Sequence, residues 1–216
     1  IAKMWDRKHD RAPDLVIVEG PEAGGHLGFS LEDLQKNPPI SLESLVKDVL
    51  EALRATEEKY RRKIPVIAAG GIFDGNDIAR FLKMGASGVQ MGTRFVATEE
   101  CDADPRFKQA YLASSREDIG LVQSPVGMPG RAILNNFIEK TRESRVPPES
   151  CSNCLKPCNP AQTPYCISDA LMAAVQGYLD KGLIFTGSNA WRLEKIVSVK
   201  ELMNELVREA EAAMEG

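Results

Sequence analysis

Glu19-Gly20-Pro21-Glu22-Ala23-Gly24-Gly25-His26-Leu27-Gly28 follows directly on the apolar run Asp14-Leu15-Val16-Ile17-Val18. The run is short, β-branched and bounded by turn residues, which predicts a buried strand. It opens into a glycine-rich loop that carries a single histidine. Glycines let the backbone take positive φ and come close to a planar or anionic ligand. A histidine held there can give or take a proton near neutral pH. The same residues also suit a tight turn whose histidine caps a neighbouring backbone group, and a glycine loop alone does not separate the two.

Downstream, the pattern repeats. Ser41 is a good N-cap for a helix whose inner face is Leu42, Leu45, Val46, Val49, Leu50 and Leu53. Ile64-Pro65-Val66-Ile67-Ala68-Ala69 is a second strand, ended by Gly70-Gly71. Asp74 caps a short helix with Ile78, Phe81 and Leu82 inward, and Gly85 stops it. Gly88-Val89-Gln90-Met91 is a third strand running into Gly92-Thr93. Strand and helix alternating in this way predict parallel βα units. Right-handed crossovers would place the strand C-terminal ends, and so the three glycine loops, on one edge. Backbone N–H groups at Gly70-Gly71 and Gly92-Thr93 can bind an anion there, helped by helix dipoles and the Thr93 hydroxyl. Loops of this kind on neighbouring late strands are the usual phosphate site of a (β/α)8 barrel. Read without a ligand, the same glycines are C-caps and tight turns.

On either side the pattern is less regular. Residues 2–9 read as a helix end stopped by Arg11-Ala12-Pro13, and the chain starts at Ile1 with no Met, which suggests a piece of a longer protein. Leu31-Glu32-Asp33-Leu34 is a short turn or helix closed by Pro38-Pro39. Beyond Phe95, Asp104-Pro105 opens a helix with Phe107, Ala110 and Tyr111 inward. A strand over 119–123, a rigid loop over 124–130, a helix over 132–140 and a polar linker over 142–150 are predicted. After the cysteine segment come a helix from Ser168 to about Leu179, a loop or short strand over 184–191, and a last helix opened by Ser198 and Glu201 as a capping box. Its inner face is Leu202, Leu206, Ala210 and Ala213.

At 216 residues, 43% hydrophobic and 27% charged, with a net charge of -4, the chain can build a core and offers no nucleic-acid surface. No apolar run is long enough to span a bilayer, so a soluble cytoplasmic protein is expected.

Cys151, Cys154, Cys158 and Cys166 crowd one short segment with spacing C-x2-C-x3-C-x7-C, stiffened by Pro157, Pro160 and Pro164. Such clustering suits a zinc ion or an iron–sulfur cluster. It also suits a proline-shaped loop with reduced, partly buried thiols. Cys101 stands apart and is expected to be structural.

Taken together, four stretches resemble the nitronate monooxygenase family, also called 2-nitropropane dioxygenases. They are Glu22-Ala23-Gly24-Gly25-His26-Leu27-Gly28, Pro65-Val66-Ile67-Ala68-Ala69-Gly70-Gly71-Ile72, Gly88-Val89-Gln90-Met91-Gly92-Thr93-Arg94-Phe95 and Ser124-Pro125-Val126-Gly127-Met128-Pro129-Gly130-Arg131. The resemblance covers most of the chain in the family order. It implies an α/β fold, the C-terminal part of an FMN-binding (β/α)8 TIM barrel followed by a mostly helical C-terminal extension. Residues 1–100 would be the last three βα units, and 101–216 the extension with the cysteine segment and terminal helix. The missing N-terminal barrel half would come from the same longer chain or a partner subunit.

The resemblance further implies that Gly70, Gly71, Gly92 and Thr93 hold the FMN phosphate, that Gly24 and Gly25 lie against the flavin, and that His26 sits over its reactive face. The implied reaction is oxidation of a nitronate or nitroalkane, a small-molecule substrate, by O2 to a carbonyl compound and nitrite. The related FMN-dependent enoyl-ACP reductases share a very similar glycine–histidine loop, so NAD(P)H-driven reduction of an enoyl thioester is the alternative. The cysteine segment resembles one in some bacterial members and lies outside the family's core motif. A reading of another class is a non-catalytic half-barrel that binds a partner.

Overall fold

The structure is a computed structural model that describes residues 2–37, 39–156 and 158–215. Pro157 of the cysteine segment, Pro38 of the Pro38-Pro39 stop and the first residue, Ile1, lie outside the described residues. In chain order the elements are α1 (Ala2–His9), β1 (Val16–Glu19), β2 (Gly25–His26), α2 (Leu31–Leu34), α3 (Leu42–Tyr60), β3 (Val66–Ala69), α4 (Gly75–Lys83), β4 (Gly88–Gln90), α5 (Thr93–Val96), α6 (Pro105–Ala113), β5 (Ile119–Gln123), β6 (Pro129–Ile133), α7 (Asn136–Glu143), α8 (Ile167–Val175) and α9 (Val199–Glu215). Two compact units result. The first holds the chain up to Glu22, Asp33–Met91 and the chain from Lys200 on; the second holds Ala23–Glu32 and Gly92–Val199. α9, last in sequence, belongs to the first unit with the parallel strands.

In the first unit β1, β3 and β4 form a parallel sheet in that order, with Val16 opposite Val66, Val18 opposite Ala68 and Ile67 opposite Gly88. This is the βα alternation that the apolar runs predict. Side chains on one face of the strands pack with those of α3 and α4: Val18, Val66 and Ala68 meet Val46, Leu53 and Phe81 in one core. Ser41 caps α3 by accepting from Ser44 N at 3.1 Å, and Asp74 caps α4 by accepting from Asp77 N at 3.0 Å. α9 buries Leu202 and Leu206, and its Glu209 carboxylate accepts from Gly75 N at 2.9 Å. A carboxylate at the first residue of α4 meets an N–H with no partner inside the helix and the positive end of the dipole. The sequence pattern of α9 shows an apolar face but not that this acidic residue docks it.

The second unit contains an antiparallel sheet in the order β2-β6-β5. Here the expected helix over 132–140 is corrected. Pro129–Ile133 is a strand paired along β5, Ile119 opposite Ile133 and Gln123 opposite Pro129, and α7 starts only at Asn136. Proline at the first residue of a strand costs no ladder bond. Asn135 is the N-cap, accepting from Ile138 N at 3.2 Å while its amide donates to Leu179 O and Gly182 O. The core of this unit joins Val122, Ala132, Phe137, Tyr165, Ile167 and Leu183. Lys108 is buried on α6, and its ammonium is satisfied by Thr98 O at 2.8 Å and Cys101 O at 2.7 Å. Among the described residues, no helix is long and apolar enough to cross a membrane.

Candidate functional site

His26 does not sit in a free loop. With Gly25 it forms β2, a two-residue strand against β6, with Gly25 opposite Arg131 and His26 opposite Gly130. Leu27 N donates to Pro129 O at 2.8 Å and continues the pairing. Arg131 donates from Nη1 to Ala23 O at 2.8 Å. The turn between β5 and β6 then supplies the side-chain partner: Ser124 Oγ lies 2.7 Å from His26 Nε2. Ser124 is itself fixed, buried to 3% exposure, with its N–H on Met128 O and its carbonyl accepting from Gly127 N. In the tautomer in which Nε2–H donates to Ser124, Nδ1 carries the ring's lone pair. Phe185 packs against the imidazole in a T-shaped contact, ring centroids 5.0 Å apart. Burial pulls the His26 pKa below the ordinary value of 6.5, which favours the neutral, proton-accepting ring. The site can therefore hold an uncharged base in one orientation.

The glycines of the expected site meet different surroundings. A Cβ on Gly24 would run into the backbone of the loop at Thr186 and Gly187, 2.6 Å from Gly187 N and 2.7 Å from Thr186 O. Gly25 has φ 77°. In the same unit, none of the described residues other than its chain neighbours comes within 4 Å of where a Cβ of Gly92 would stand. Gly92 caps α5 through its carbonyl, which accepts from Phe95 N at 2.9 Å, without a side-chain cap. α5 is a single turn of four residues, so its dipole is small and the expected dipole contribution is minor. Thr93 Oγ1 accepts from Gly187 N at 3.3 Å, which leaves its own proton to donate elsewhere. Gly70 and Gly71 belong to the first unit, at the end of β3, with φ 89° and 81°. The Glu22 carboxylate fills the space a Cβ of Gly71 would take.

The metal expectation for the cysteine segment is not met. Among the described residues, no three His, Cys, Asp or Glu side chains are grouped to hold a metal ion. Two of the thiols have separate partners: Cys151 Sγ accepts from Asn153 N at 3.4 Å, and Cys154 Sγ lies 3.3 Å from Ser168 Oγ. Burial pushes the Cys166 thiol pKa up. All four cysteines are free thiols and, with Val126 and Tyr165, line a cavity of ≈ 300 Å³.

Three side chains that matter here were not singled out from the sequence: Ser124, Phe185 and Ser188, whose buried Oγ has no hydrogen-bond partner among the described residues. For Ser124 a signal existed, since it opens the fourth of the family-like stretches. Phe185 and Ser188 carried none.

The profile of the nitronate monooxygenase family matches residues 2–209. A probable nitronate monooxygenase of Staphylococcus haemolyticus is 33% identical over 204 residues, 93% of this chain and 52% of that protein. One of Bacillus subtilis is 30% identical over 202 residues, again 93% of this chain and 52% of the relative. The chain thus spans about half the length of these curated relatives. Among solved structures, FabK from Thermotoga maritima matches with a TM-score of 0.72 at 30% identity, over 99% of this chain and 58% of that one. A nitroalkane oxidase from Streptomyces ansochromogenes matches with a TM-score of 0.68 at 28% identity, over 94% of this chain and 53% of that one. The glycine–histidine strand, the three parallel strands and the turn that holds His26 all fall inside the matched residues, and the chain belongs to the nitronate monooxygenase family.

Proposed function

We propose that this chain is the part of an FMN-dependent oxidoreductase that carries its acid–base histidine, and that the whole protein oxidises nitroalkanes or their nitronates with O2 to a carbonyl compound and nitrite. One observation carries the reading: His26, on the family's glycine–histidine strand, is neutral-favouring and clamped by Ser124 at 2.7 Å. A nitroalkane must lose its α-proton before it can be oxidised, and a fixed neutral imidazole is suited to take it. Flavin, when bound, would accept the electrons of the nitronate and pass them to O2.

The residues present fit that group. Gly92 leaves open space beside a hydroxyl, Thr93, whose proton is free to point at a phosphate oxygen. In this reading Gly70, Gly71, Gly92 and Thr93 hold the phosphate, Gly24 and Gly25 lie against the ring system, and His26 faces the reactive side. β1, β3 and β4 are then the last three strands of a (β/α)8 barrel. Ile17, 49% exposed on the sheet face opposite Val16 and Val18, is where the remaining barrel would pack. Three exposed reduced cysteines, Cys151, Cys154 and Cys158, suit a reducing, cytoplasmic setting.

Oxygen uptake with a nitroalkane and with its preformed nitronate, in protein that includes the rest of the barrel, tests the assignment. His26→Asn should lose about 10²-fold or more with the nitroalkane and less with the nitronate, the usual scale for a general base. Because the folded-state pKa is depressed, the base is present through neutral pH. Nitroalkane turnover should therefore fall only as pH drops through a midpoint below 6.5. Full activity of the variant on both forms would remove His26 from catalysis. NAD(P)H-driven reduction of an enoyl thioester without nitronate turnover would move the substrate to the alternative class.

A further inference from the structure

Ser188 is the place where the described residues leave a polar atom unexplained. Its Oγ is buried and has no hydrogen-bond partner among them. Native structures seldom bury a hydroxyl without a partner unless a ligand, a water or a functional demand accounts for it. The surroundings narrow the choice. Gly187, the residue before it, donates its N–H to Thr93 Oγ1 at 3.3 Å. Thr186 and Gly187 fill the space beside Gly24. Ala190, fully buried, closes a turn by donating to Gly187 O at 3.3 Å. The segment that carries Ser188 is thus pinned on both sides, and the residue before Ser188 is bonded to the Thr93 hydroxyl.

A hydroxyl without a partner among the described residues follows directly on the residue that bonds a second hydroxyl, Thr93, whose proton is not used in that bond, and two such donors suit anionic oxygen. We propose that Ser188 is a further phosphate-binding residue of the flavin site, its hydroxyl donating with that of Thr93 to the phosphate oxygens of FMN. The inference rests on the FMN reading above, and it extends the phosphate cradle to the loop after Phe185, which none of the glycine motifs includes.

The test is a fluorescence-quenching titration of the full natural chain, stripped of flavin, with FMN and with riboflavin, which lacks the phosphate. Wild type should prefer FMN. Ser188→Ala should lower FMN affinity roughly tenfold or more, the range for a hydrogen bond to a charged group, and leave riboflavin affinity unchanged. Ser188→Thr, which keeps the hydroxyl, should stay near wild type. If Ser188→Ala does not fold, the near-isosteric Ser188→Cys is read in the same titration. A variant whose FMN-to-riboflavin preference equals that of wild type would overturn the role of Ser188 and leave the FMN reading standing. A wild type that binds both equally, or neither, would overturn the phosphate reading itself and Ser188 with it.

Discussion

Gly70-Gly71 and Gly92-Thr93 look alike in sequence, each a glycine pair or glycine–threonine pair at the end of a parallel strand, yet the structure uses them differently. Gly71 is glycine for conformation and packing: its φ is 81°, and the Glu22 carboxylate occupies the side a Cβ would need. Gly92 has φ -120°, which any residue adopts, and a Cβ there would meet nothing within 4 Å among the described residues beyond its chain neighbours. The fold explains the first glycine and leaves the second without a structural reason. A glycine that the chain's own packing does not require is the better pointer to a ligand. Gly24, pressed against the backbone of Thr186 and Gly187, is of the first kind although it neighbours the histidine.

Replacing each glycine by alanine and following unfolding would break or sharpen this contrast. Gly24→Ala should be the most damaging. Its Cβ meets backbone, which cannot rotate away as a side chain can, and a loss of about 3 kcal/mol or more is expected. A urea midpoint close to that of wild type would mean that the 186–187 loop yields easily. Gly71→Ala comes next, at about 1–3 kcal/mol for a non-glycine residue held at positive φ. The Glu22 carboxylate can swing aside but its Cβ, 2.9 Å away, cannot, so pairing Gly71→Ala with Glu22→Ala, which keeps that Cβ and the backbone strain, should recover little. Full recovery in the double variant would shift the cause to the Glu22 carboxylate. Gly92→Ala should be the mildest, within about 0.5 kcal/mol in flavin-free protein. Flavin retention should nonetheless drop in that variant. A melting temperature lowered as far as in Gly71→Ala would erase the contrast.

Much of the first unit was legible in advance. Apolar runs with β-branched residues, the caps at Ser41 and Asp74 and the alternation of strand and helix are local signals, and the elements follow them. The second unit was read less well. Pro129-Gly130-Arg131 carries turn residues, and a helix was expected to begin at Ala132. The segment is instead a strand, because β5 on one side and β2 on the other supply hydrogen-bond partners to it. Gly130 is needed there since a Cβ would press on the Phe185 ring at 2.9 Å. The cysteines show the opposite failure. Their spacing invited a metal, but spacing in a loop does not say whether thiols come within ligating distance of one another, and among the described residues no such group forms although all four line one cavity.

The sequence by itself determined the three parallel strands, their helices and the family, since each rests on residue types at short, regular spacing. It also marked His26, as the lone histidine in a glycine-rich stretch. Only the tertiary structure decided what holds that histidine. Ser124 lies 98 residues away along the chain and Phe185 farther still, and they reach the ring through an antiparallel pairing that no local pattern encodes. The same holds for Thr93 and the loop at Gly187 and Ser188. Hydrogen bonds and burial are set by which backbones come together, and for residues this far apart that is a property of the whole fold.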